Sequence, residues 1–303
     1  MEVLLLGTAA GGGFPQWNCW CPPCRVARSE PARAHSRTQS TAAISADGRR
    51  WFLLNASPDV RDQVARLGDG APPGAVRHVP VEGVVLTDAE LDHTLGITLL
   101  REGLRLQLWA TPAVVDVLTE DSRLLPVTRA FAEVAVTPLA LGATEELRYR
   151  DGTASGLAVT AFAVAGDPPR FARRHQAGHT VGLLIEDRRT GGRAAFVPGC
   201  GSLDAALLDQ LAAAQLVLFD GTFYSDDEMK GLGISDRTAS DLDHVPVSGR
   251  GGSLESLSRL PARHRVYTHI NNSNPMLVED SPERRAVDAA GLLVGDDGMR
   301  FTL

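Results

Sequence analysis

Short apolar runs recur along the whole chain, and they restrict the folds that the chain can adopt. Runs that are rich in β-branched residues and bounded by polar loops are typical of β-strands. Nearly continuous apolar runs indicate strands that are covered on both faces. The sequence therefore predicts many strands, at Val3–Leu6, Arg50–Leu54, Val84–Leu86, Leu106–Trp109, Leu157–Val164, Val181–Ile185, Ala194–Val197, Leu216–Phe219 and Arg265–Tyr267.

Helix signals lie between these runs. Thr111 stands where an N-cap is expected before Pro112, and Ser202 and Ser281 precede two later segments in the same way. Gly68–Gly74 is rich in glycine and proline and predicts a loop. The predicted helices are Leu91–Arg101, Pro112–Thr119, Leu203–Ala214 and Pro282–Ala290. Strands with a few helices between them favour a layered α/β arrangement, which we expect to form one domain over residues 1–303.

Three of the four cysteines lie close together, at Cys19, Cys21 and Cys24. Cys19 and Cys21 are too near each other for an ordinary disulfide, and the chain is too long for a small disulfide scaffold. Three thiolates at this spacing can bind one zinc ion, with a fourth ligand completing a tetrahedron. We expect a structural zinc site in a cysteine-rich loop of about residues 15–27. The alternative is three unrelated buried thiols.

Composition excludes several classes of protein. The chain has 303 residues, of which 44% are hydrophobic, and a net charge of -7, so a disordered chain or a broad binder of nucleic acid is not expected. The N-terminus has no basic leader, and no apolar run approaches the length of a membrane span, about 18 residues. We therefore expect a cytoplasmic protein with reduced thiols, without a nucleic-acid partner or a membrane span.

An acidic segment with one histidine follows the predicted strand Val84–Leu86. It contains Asp88, Glu90, Asp92 and His93. Carboxylates and a histidine gathered at the C-terminal end of a strand are candidate metal ligands. A solvated acidic loop is the alternative.

Further polar residues follow the later strands. Each is by itself more often a hydrogen-bonded structural residue than a ligand, but open α/β sheets collect their site residues at strand ends. The glycine-rich segment Gly7–Gly13 follows the first strand and predicts either a tight turn or a loop that lines a site. The later polar candidates are His175, His179, Cys200, Asp220, His244 and His269.

The segment Thr87–His93 resembles the Thr-His-x-His-x-Asp-His motif of the metallo-β-lactamase superfamily. Later segments resemble further motifs of the superfamily in the same order, at Gly178–Thr180, Val197–Cys200, Phe219–Phe223 and Thr268–His269. The resemblance implies a metallo-β-lactamase-like αββα sandwich with one or two metal ions at the sheet edge.

Longer motifs are similar to those of a narrower family, the pyrroloquinoline quinone (PQQ) biosynthesis B proteins. These motifs are Leu6–Cys19, Thr87–His93, Val197–Cys200 and His269–Pro275, so the resemblance covers the whole chain. It implies a part in making PQQ from a glutamate and a tyrosine of a small precursor peptide. A peptide-derived substrate and other PQQ biosynthesis proteins are the implied partners. Whether the chain forms a homodimer stays open.

Departures from the superfamily motif change the expected chemistry. Asp88 and Glu90 stand in place of the first two histidines, and Cys200 stands in place of an aspartate that bridges two metals. Two histidines and one carboxylate remain, a set that is typical of non-heme Fe²⁺ oxygenases. The members of this set are Asp92, His93 and His269.

The resemblance therefore implies Fe²⁺- and O₂-dependent hydroxylation of the tyrosine ring in a Glu–Tyr unit. Catalytic roles at the pocket, in orienting ligands or moving protons, are expected for Asp88, Glu90, Asp220 and His244. Two other functions stay open. One is a carrier that helps to move PQQ or its precursor to the periplasm, and the other is a metal-dependent phosphodiesterase or related hydrolase.

The fourth ligand of the expected zinc site is also open. A phosphodiesterase branch of the superfamily has this ligand three positions after the last histidine motif. That position holds Asn272 in this chain, and His35 is the alternative.

Overall fold

Two seven-stranded mixed sheets form the centre of the molecule, as a computed structural model shows for residues 1–68, 71–103 and 105–303. In chain order the strands are β1 (Glu2–Gly7), β2 (Thr41–Ser45), β3 (Trp51–Leu54), β4 (Val81–Val85), β5 (Arg105–Ala110), β6 (Glu133–Pro138), β7 (Thr144–Arg148), β8 (Ala154–Ala163), β9 (Val181–Asp187), β10 (Gly192–Val197), β11 (Leu216–Asp220), β12 (His264–Thr268), β13 (Leu293–Val294) and β14 (Arg300–Thr302). The first sheet has the order β14-β1-β2-β3-β4-β5-β6, and the second has the order β13-β12-β11-β10-β9-β8-β7. Strands β3 to β6 run parallel in the first sheet, as do β10 to β13 in the second.

The two sheets pack face to face, because alternate residues of a strand point to opposite sides of its sheet. In β1, Val3 and Leu5 lie in the layer between the sheets, whereas Leu4 and Leu6 pack in the outer layer of the first sheet. Phe219 of β11 packs in the outer layer of the second sheet. The predicted αββα sandwich in one domain is confirmed.

Short helices cover the two outer faces. In chain order they are α1 (Pro22–Ser29), α2 (Val60–Val64), α3 (Leu91–Thr94), α4 (Gly96–Leu99), α5 (Pro112–Asp116), α6 (Leu124–Arg129), α7 (Ala205–Ala212), α8 (Glu228–Gly231), α9 (Ser253–Ser258) and α10 (Pro282–Ala289). Turns of 3-10 helix lie at Ala65–Leu67, Leu100–Gly103, Ser240–Leu242 and Pro275–Leu277, and a π turn lies at Val117–Asp121. Thr111 and Ser281 cap α5 and α10, as predicted, because their side chains accept a backbone N–H. Within the described ranges, no helix has the length and apolar character that crossing a bilayer requires.

Every predicted strand overlaps an observed one, but the sequence did not predict β2, β6, β7, β13 and β14. β6 and β7 are edge strands in which exposed polar residues interrupt the apolar pattern. β13 and β14 have only two and three residues. Such strands are held by pairing with a neighbour, which leaves little signal in their own sequence.

Predicted boundaries differ by up to three residues at several elements, such as β4 and β8, and three segments need further correction. The predicted helix Leu91–Arg101 is divided into α3, α4 and a 3-10 turn, because the N–H of Gly96 donates to the carbonyl of Ala56 (2.9 Å). The predicted cysteine loop contains α1, which begins at Pro22. α7 begins after Asp204, whose side chain accepts the N–H of Leu207 as its N-cap. Of the predicted loop at residues 68–74, positions 69 and 70 lie outside the described residues.

The topology brings the C-terminal ends of β4, β11 and β12 to one edge of the sandwich. β11 and β12 are parallel neighbours that end together at Asp220 and Thr268. The N–H of Val181 donates to the carbonyl of Thr87 at 2.9 Å, which joins β9 of the second sheet to the residues that follow β4 of the first. Polar residues that are far apart in the sequence therefore share this edge.

Candidate metal centre

A carboxylate and two imidazoles converge at this edge. Asp92 and His93 lie in α3, and His269 directly follows β12. Asp92 Oδ2 lies 3.3 Å from His269 Nε2 and 4.0 Å from His93 Nε2. One donor atom from each residue lies within 4.8 Å of the others. The structure thus brings together the three residues predicted to bind the active-site metal, and we call them the triad.

Asp88 sets the orientation of the His93 ring. Both carboxylate oxygens of Asp88 lie 2.8 Å from His93 Nδ1, and both side chains are buried. Asp88 also accepts hydrogen bonds from the hydroxyl of Thr87 at 2.7 Å and from the backbone N–H of Glu90 at 2.9 Å. Because Nδ1 faces a carboxylate, it carries the proton, and Nε2 is left free to bind a metal.

Thr222 plays the corresponding part for His269. Its hydroxyl donates to Asp220 Oδ1 at 2.6 Å and accepts from His269 Nδ1 at 2.8 Å. His269 has a positive φ of 54°, a region that residues other than glycine rarely adopt. The sequence alone predicts no role for Thr222, although it lies in the Phe219–Phe223 motif.

Asp220 and His244 form a second group beside the triad. The ring of His244 stacks on that of His269 with centroids 5.6 Å apart, and its Nδ1 lies 2.6 Å from Asp220 Oδ2. The donor atoms of these three residues also lie within 4.8 Å of one another. Asp220 is fully buried and accepts two more bonds, from the backbone N–H groups of Cys200 (3.1 Å) and Thr222 (3.0 Å). With both oxygens engaged, Asp220 positions its neighbours.

Buried carboxylates favour the protonated imidazoles. Burial by itself lowers the pKa of His93, but the charges of Asp88 and Asp92 raise that pKa to about 9. Burial likewise opposes the charge on His244, yet the carboxylate of Asp220 keeps the pKa of His244 above its usual value. A metal ion at Nε2 would replace a proton of His93, since a metal-bound imidazole is neutral.

Glu90 stands at the exposed rim of the site. Although its side chain reaches solvent, desolvation by the surrounding protein and the charges of Asp88 and Asp92 raise the pKa of Glu90 to about 7. A carboxyl with this pKa exchanges protons near neutral pH, which suits a general acid or base.

The glycine-rich loop Gly7–Gly13 lies against the triad. A Cβ added at Gly11 would stand 3.2 Å from Asp92 Oδ2. The N–H of Ala10 donates to the carbonyl of Ile270 at 2.9 Å, so the loop is also joined to the segment that carries His269. The sequence left open a tight turn or a loop that lines a site, and these contacts favour the loop that lines the site.

The triad has the donors that a metal ion requires. His93 Nε2 is buried and has no hydrogen-bond partner among the described residues, which is costly unless something binds it. Two imidazole nitrogens and one carboxylate suit Fe²⁺, and zinc uses the same donor types. The residues therefore fit a single metal ion of either kind.

Three thiols come together at the start of α1. The sulfur atoms of Cys19, Cys21 and Cys24 lie within 4.8 Å of one another, and we call them the cysteine cluster. Arg28 holds this segment, because its guanidinium donates to the carbonyls of Cys19 (2.7 Å) and Cys24 (3.1 Å). A hydrogen bond from the Cys21 thiol lowers the pKa of Cys24 to about 5. Thiolate sulfur is the donor that structural zinc sites use, so the cluster fits zinc.

Asn272 lies beside the cysteine cluster. Its Nδ2 is 3.3 Å from Cys24 Sγ and 3.6 Å from Cys21 Sγ. The alternative fourth ligand, His35, is exposed and bonds Asp296 at 3.0 Å instead. Of the two candidates, Asn272 is the one in contact with the thiols.

Two further residues from the sequence analysis lie outside both metal groups within the described ranges. The thiol of Cys200, which stands where the superfamily motif has a bridging aspartate, donates to the carbonyl of Ser202 at 3.0 Å. His179 is buried, and its ring nitrogens have no partner among the described residues. Its loop is held by Thr111, whose hydroxyl donates to the carbonyl of Gly178 at 2.6 Å.

Solved structures share this architecture. Residues 50–270 match the family model of the beta-lactamase superfamily domain. The crystal structure of Zn²⁺-bound PqqB from Methylobacterium extorquens has a TM-score of 0.89 and 39% sequence identity, with 100% of both chains covered. A diphosphatase of the PhnP family has a TM-score of 0.68 at 20% identity, covering 100% of this chain and 97% of its own, which shows a shared fold.

Relatives of known name match the complete chain. Coenzyme PQQ synthesis protein B from Gluconacetobacter diazotrophicus is 42% identical over 100% of this chain and 99% of its own length. The protein of the same name from Methylobacterium nodulans is 42% identical over 100% of both chains. These identities over complete chains, together with the shared fold, show that the chain belongs to the coenzyme PQQ synthesis protein B family of the beta-lactamase superfamily.

Proposed function

We propose that this protein acts in the synthesis of coenzyme PQQ as an Fe²⁺-dependent hydroxylase of the tyrosine ring in a Glu–Tyr unit. The name of its relatives supports the pathway. The observation that carries the reaction is the donor set, since Asp92, His93 and His269 gather their donor atoms within 4.8 Å. Two histidines and one carboxylate leave coordination positions open for O₂ and substrate.

A second metal next to the triad is disfavoured by the partners of the surrounding residues. Asp88 directs both oxygens at His93, and Asp220 directs both at other protein groups. A two-metal clamp of the kind that activates water for hydrolysis would therefore have to draw Asp88 or Asp220 away from these contacts, although His244 Nε2 is available beside the triad. This favours oxygenation over hydrolysis.

The proposed reaction converts a ring C–H bond into C–OH. One oxygen atom of O₂ enters the ring, and the other leaves as water after taking up two electrons and two protons. A small organic reductant such as ascorbate would supply the electrons, and Fe²⁺ bound at the triad would supply the activation of O₂. The chain itself would move protons: Glu90 has a pKa of about 7, and His244 keeps Nε2 free because Asp220 binds its Nδ1.

Oxygen uptake and product mass test this proposal. Protein loaded with Fe²⁺ would be mixed with a Glu–Tyr dipeptide, ascorbate and isotopically labelled O₂. We expect O₂ consumption and one labelled oxygen atom on the tyrosine ring. His269→Ala should lose both iron and turnover while the cysteine cluster keeps its zinc. His35→Ala, which changes an exposed histidine away from the triad, should keep iron and turnover.

Three outcomes would contradict the proposal. Iron content and turnover that survive in His269→Ala would exclude the triad as the metal site. Hydrolysis of a phosphodiester by the zinc- or manganese-loaded protein, without O₂ uptake by the iron form, would assign the hydrolase. Tight binding of PQQ without any turnover of the dipeptide would assign the carrier.

A further inference from the structure

A short connection joins the two metal groups. The three residues Ile270–Asn272, which we call the linking segment, begin directly after His269. They end at Asn272, whose Nδ2 lies 3.3 Å from Cys24 Sγ. The carbonyl oxygen of Asn272 also lies 3.4 Å from Cys21 Sγ. One segment therefore has a triad residue at one end and the cysteine cluster at the other.

The linking segment has little freedom to move on its own. Ile270 is fully buried, and two backbone hydrogen bonds of 2.8 and 2.9 Å tie it to the glycine-rich loop. The N–H of Asn271 donates to the carbonyl of Thr222 at 3.0 Å, and the hydroxyl of Thr222 contacts His269 Nδ1. The segment therefore keeps a fixed spacing between Asn272 and His269, and an anchor at Asn272 adds one restraint to those that hold His269.

His269 depends on such restraint from its surroundings. Its φ of 54° lies in the left-handed region, which is unfavourable for a side chain with a Cβ. A residue in this region keeps its conformation only while neighbouring contacts hold it there. Thr222 provides one of these contacts at the ring, and the linking segment provides another along the backbone.

We infer that Asn272 is a positioning residue, through which a metal ion in the cysteine cluster holds His269 in its ligating position. Asn272 offers that metal its side-chain oxygen, because a half-turn of the amide brings Oδ1 to the place of Nδ2 beside the thiols. The two metal sites are then coupled, and by linkage each strengthens the other by the same factor. The inference rests on the proposed function only in that both groups bind metal.

The first test measures binding of Co²⁺, a spectroscopic probe, to the triad of the zinc-loaded protein. Asn272→Ala should bind Co²⁺ at the triad about tenfold more weakly and with a changed visible spectrum. Asn272→Asp retains an oxygen donor, so it should restore both the Co²⁺ affinity and the visible spectrum. Asn271→Ala is the matched control, because the Asn271 side chain contacts Ser273 and Met229 rather than the thiols. It should bind Co²⁺ as the unmodified protein does.

The second test uses the unmodified protein, so it stands even where Asn272→Ala does not fold. The affinity of the cysteine cluster for zinc is measured at equilibrium against a competing chelator, with the triad empty or filled with Co²⁺. We expect the filled triad to raise this affinity by about the factor that Asn272→Ala loses. Equal zinc affinities, or unmodified Co²⁺ binding in Asn272→Ala, would overturn the coupling. Failure of the unmodified triad to bind any metal would overturn the proposed function instead.

Discussion

Both carboxylate oxygens of Asp88 lie 2.8 Å from Nδ1 of His93, and neither side chain has appreciable contact with solvent. Asp88 stands where the superfamily motif has a histidine, but its contacts are those of a residue that supports a ligand. It sets the tautomer of His93 and adds negative charge next to the metal position. These contacts favour a supporting role at a position where the superfamily motif has a ligand.

Asp88→Asn should weaken metal binding at the triad by about 10- to 100-fold. The amide keeps the size of the side chain but removes the charge and no longer favours a proton on His93 Nδ1. Calorimetric titration with Fe²⁺ under exclusion of O₂ measures the affinity. Asp62→Asn, which changes an exposed carboxylate, is the control and should bind Fe²⁺ normally. Equal affinities of Asp88→Asn and the unmodified protein would contradict the assigned role.

Cys21→Ser should lose zinc and stability together, because binding of a structural metal contributes to folding. At a zinc concentration a hundredfold above Kd, the lost contribution is about 3 kcal/mol. Elemental analysis and denaturant unfolding measure the two effects. Cys200→Ser is the matched control, since a serine hydroxyl can donate to the carbonyl of Ser202 as the thiol does. Zinc content that is unchanged in Cys21→Ser would reject the cysteine cluster as a zinc site.

A strand of this fold can be predicted when its own residues form a clear apolar pattern. β3 and β11 are fully buried, and their sequences are nearly continuous apolar runs that stand out by themselves. β7 is an edge strand with exposed charged residues, and its pairing with β8 decides its structure. The division of the helix after Leu91 depends on a carbonyl at Ala56, far away in the chain.

The same limit applies to the candidate site. Asp92, His93 and His269 could be named as a set only from the resemblance to the superfamily motif, and their positions after strands are consistent with a shared sheet edge. The hydroxyl of Thr222 gains its role only from the position of His269, 47 residues later. The role of Cys200 could not be predicted, because the contact of its thiol with the carbonyl of Ser202 depends on a local turn that the motif does not reveal.

Glu228, a buried carboxyl outside both metal groups, should make stability depend on pH. It accepts hydrogen bonds from the N–H of Tyr224 (2.7 Å) and the hydroxyl of Ser273 (2.5 Å), and burial raises the pKa of Glu228 from 4.5 to about 7. Between these pH values the unfolded chain releases a proton that the folded chain retains. Stability therefore falls as pH rises through this window, by about 2 to 3 kcal/mol.

Glu228→Gln should remove this dependence, because glutamine resembles the protonated acid. Relative to the unmodified protein, the variant should gain about 2 kcal/mol in free energy of unfolding between pH ~4.5 and pH ~8. Denaturant unfolding at several pH values measures the difference. Glu255→Gln, which changes an exposed carboxyl, should show no such trend. A pH-independent difference for Glu228→Gln would mean that this carboxyl stays ionised in the fold.

Gly11 leaves room for the carboxylate of Asp92, and a methyl group at this position should disturb the triad. The added Cβ would lie 3.2 Å from Asp92 Oδ2, closer than the usual contact of about 3.5 to 4.0 Å. Gly11 is not among the residues with positive φ, so alanine meets no backbone obstacle. Gly11→Ala should therefore bind Fe²⁺ or Co²⁺ at the triad about tenfold more weakly, with little change in Tm. In Gly199→Ala the nearest atom, His244 Cε1, lies 4.0 Å away, so this matched variant should bind normally. An equal loss of metal affinity in Gly11→Ala and Gly199→Ala would show that metal binding at the triad does not depend on the space beside Asp92.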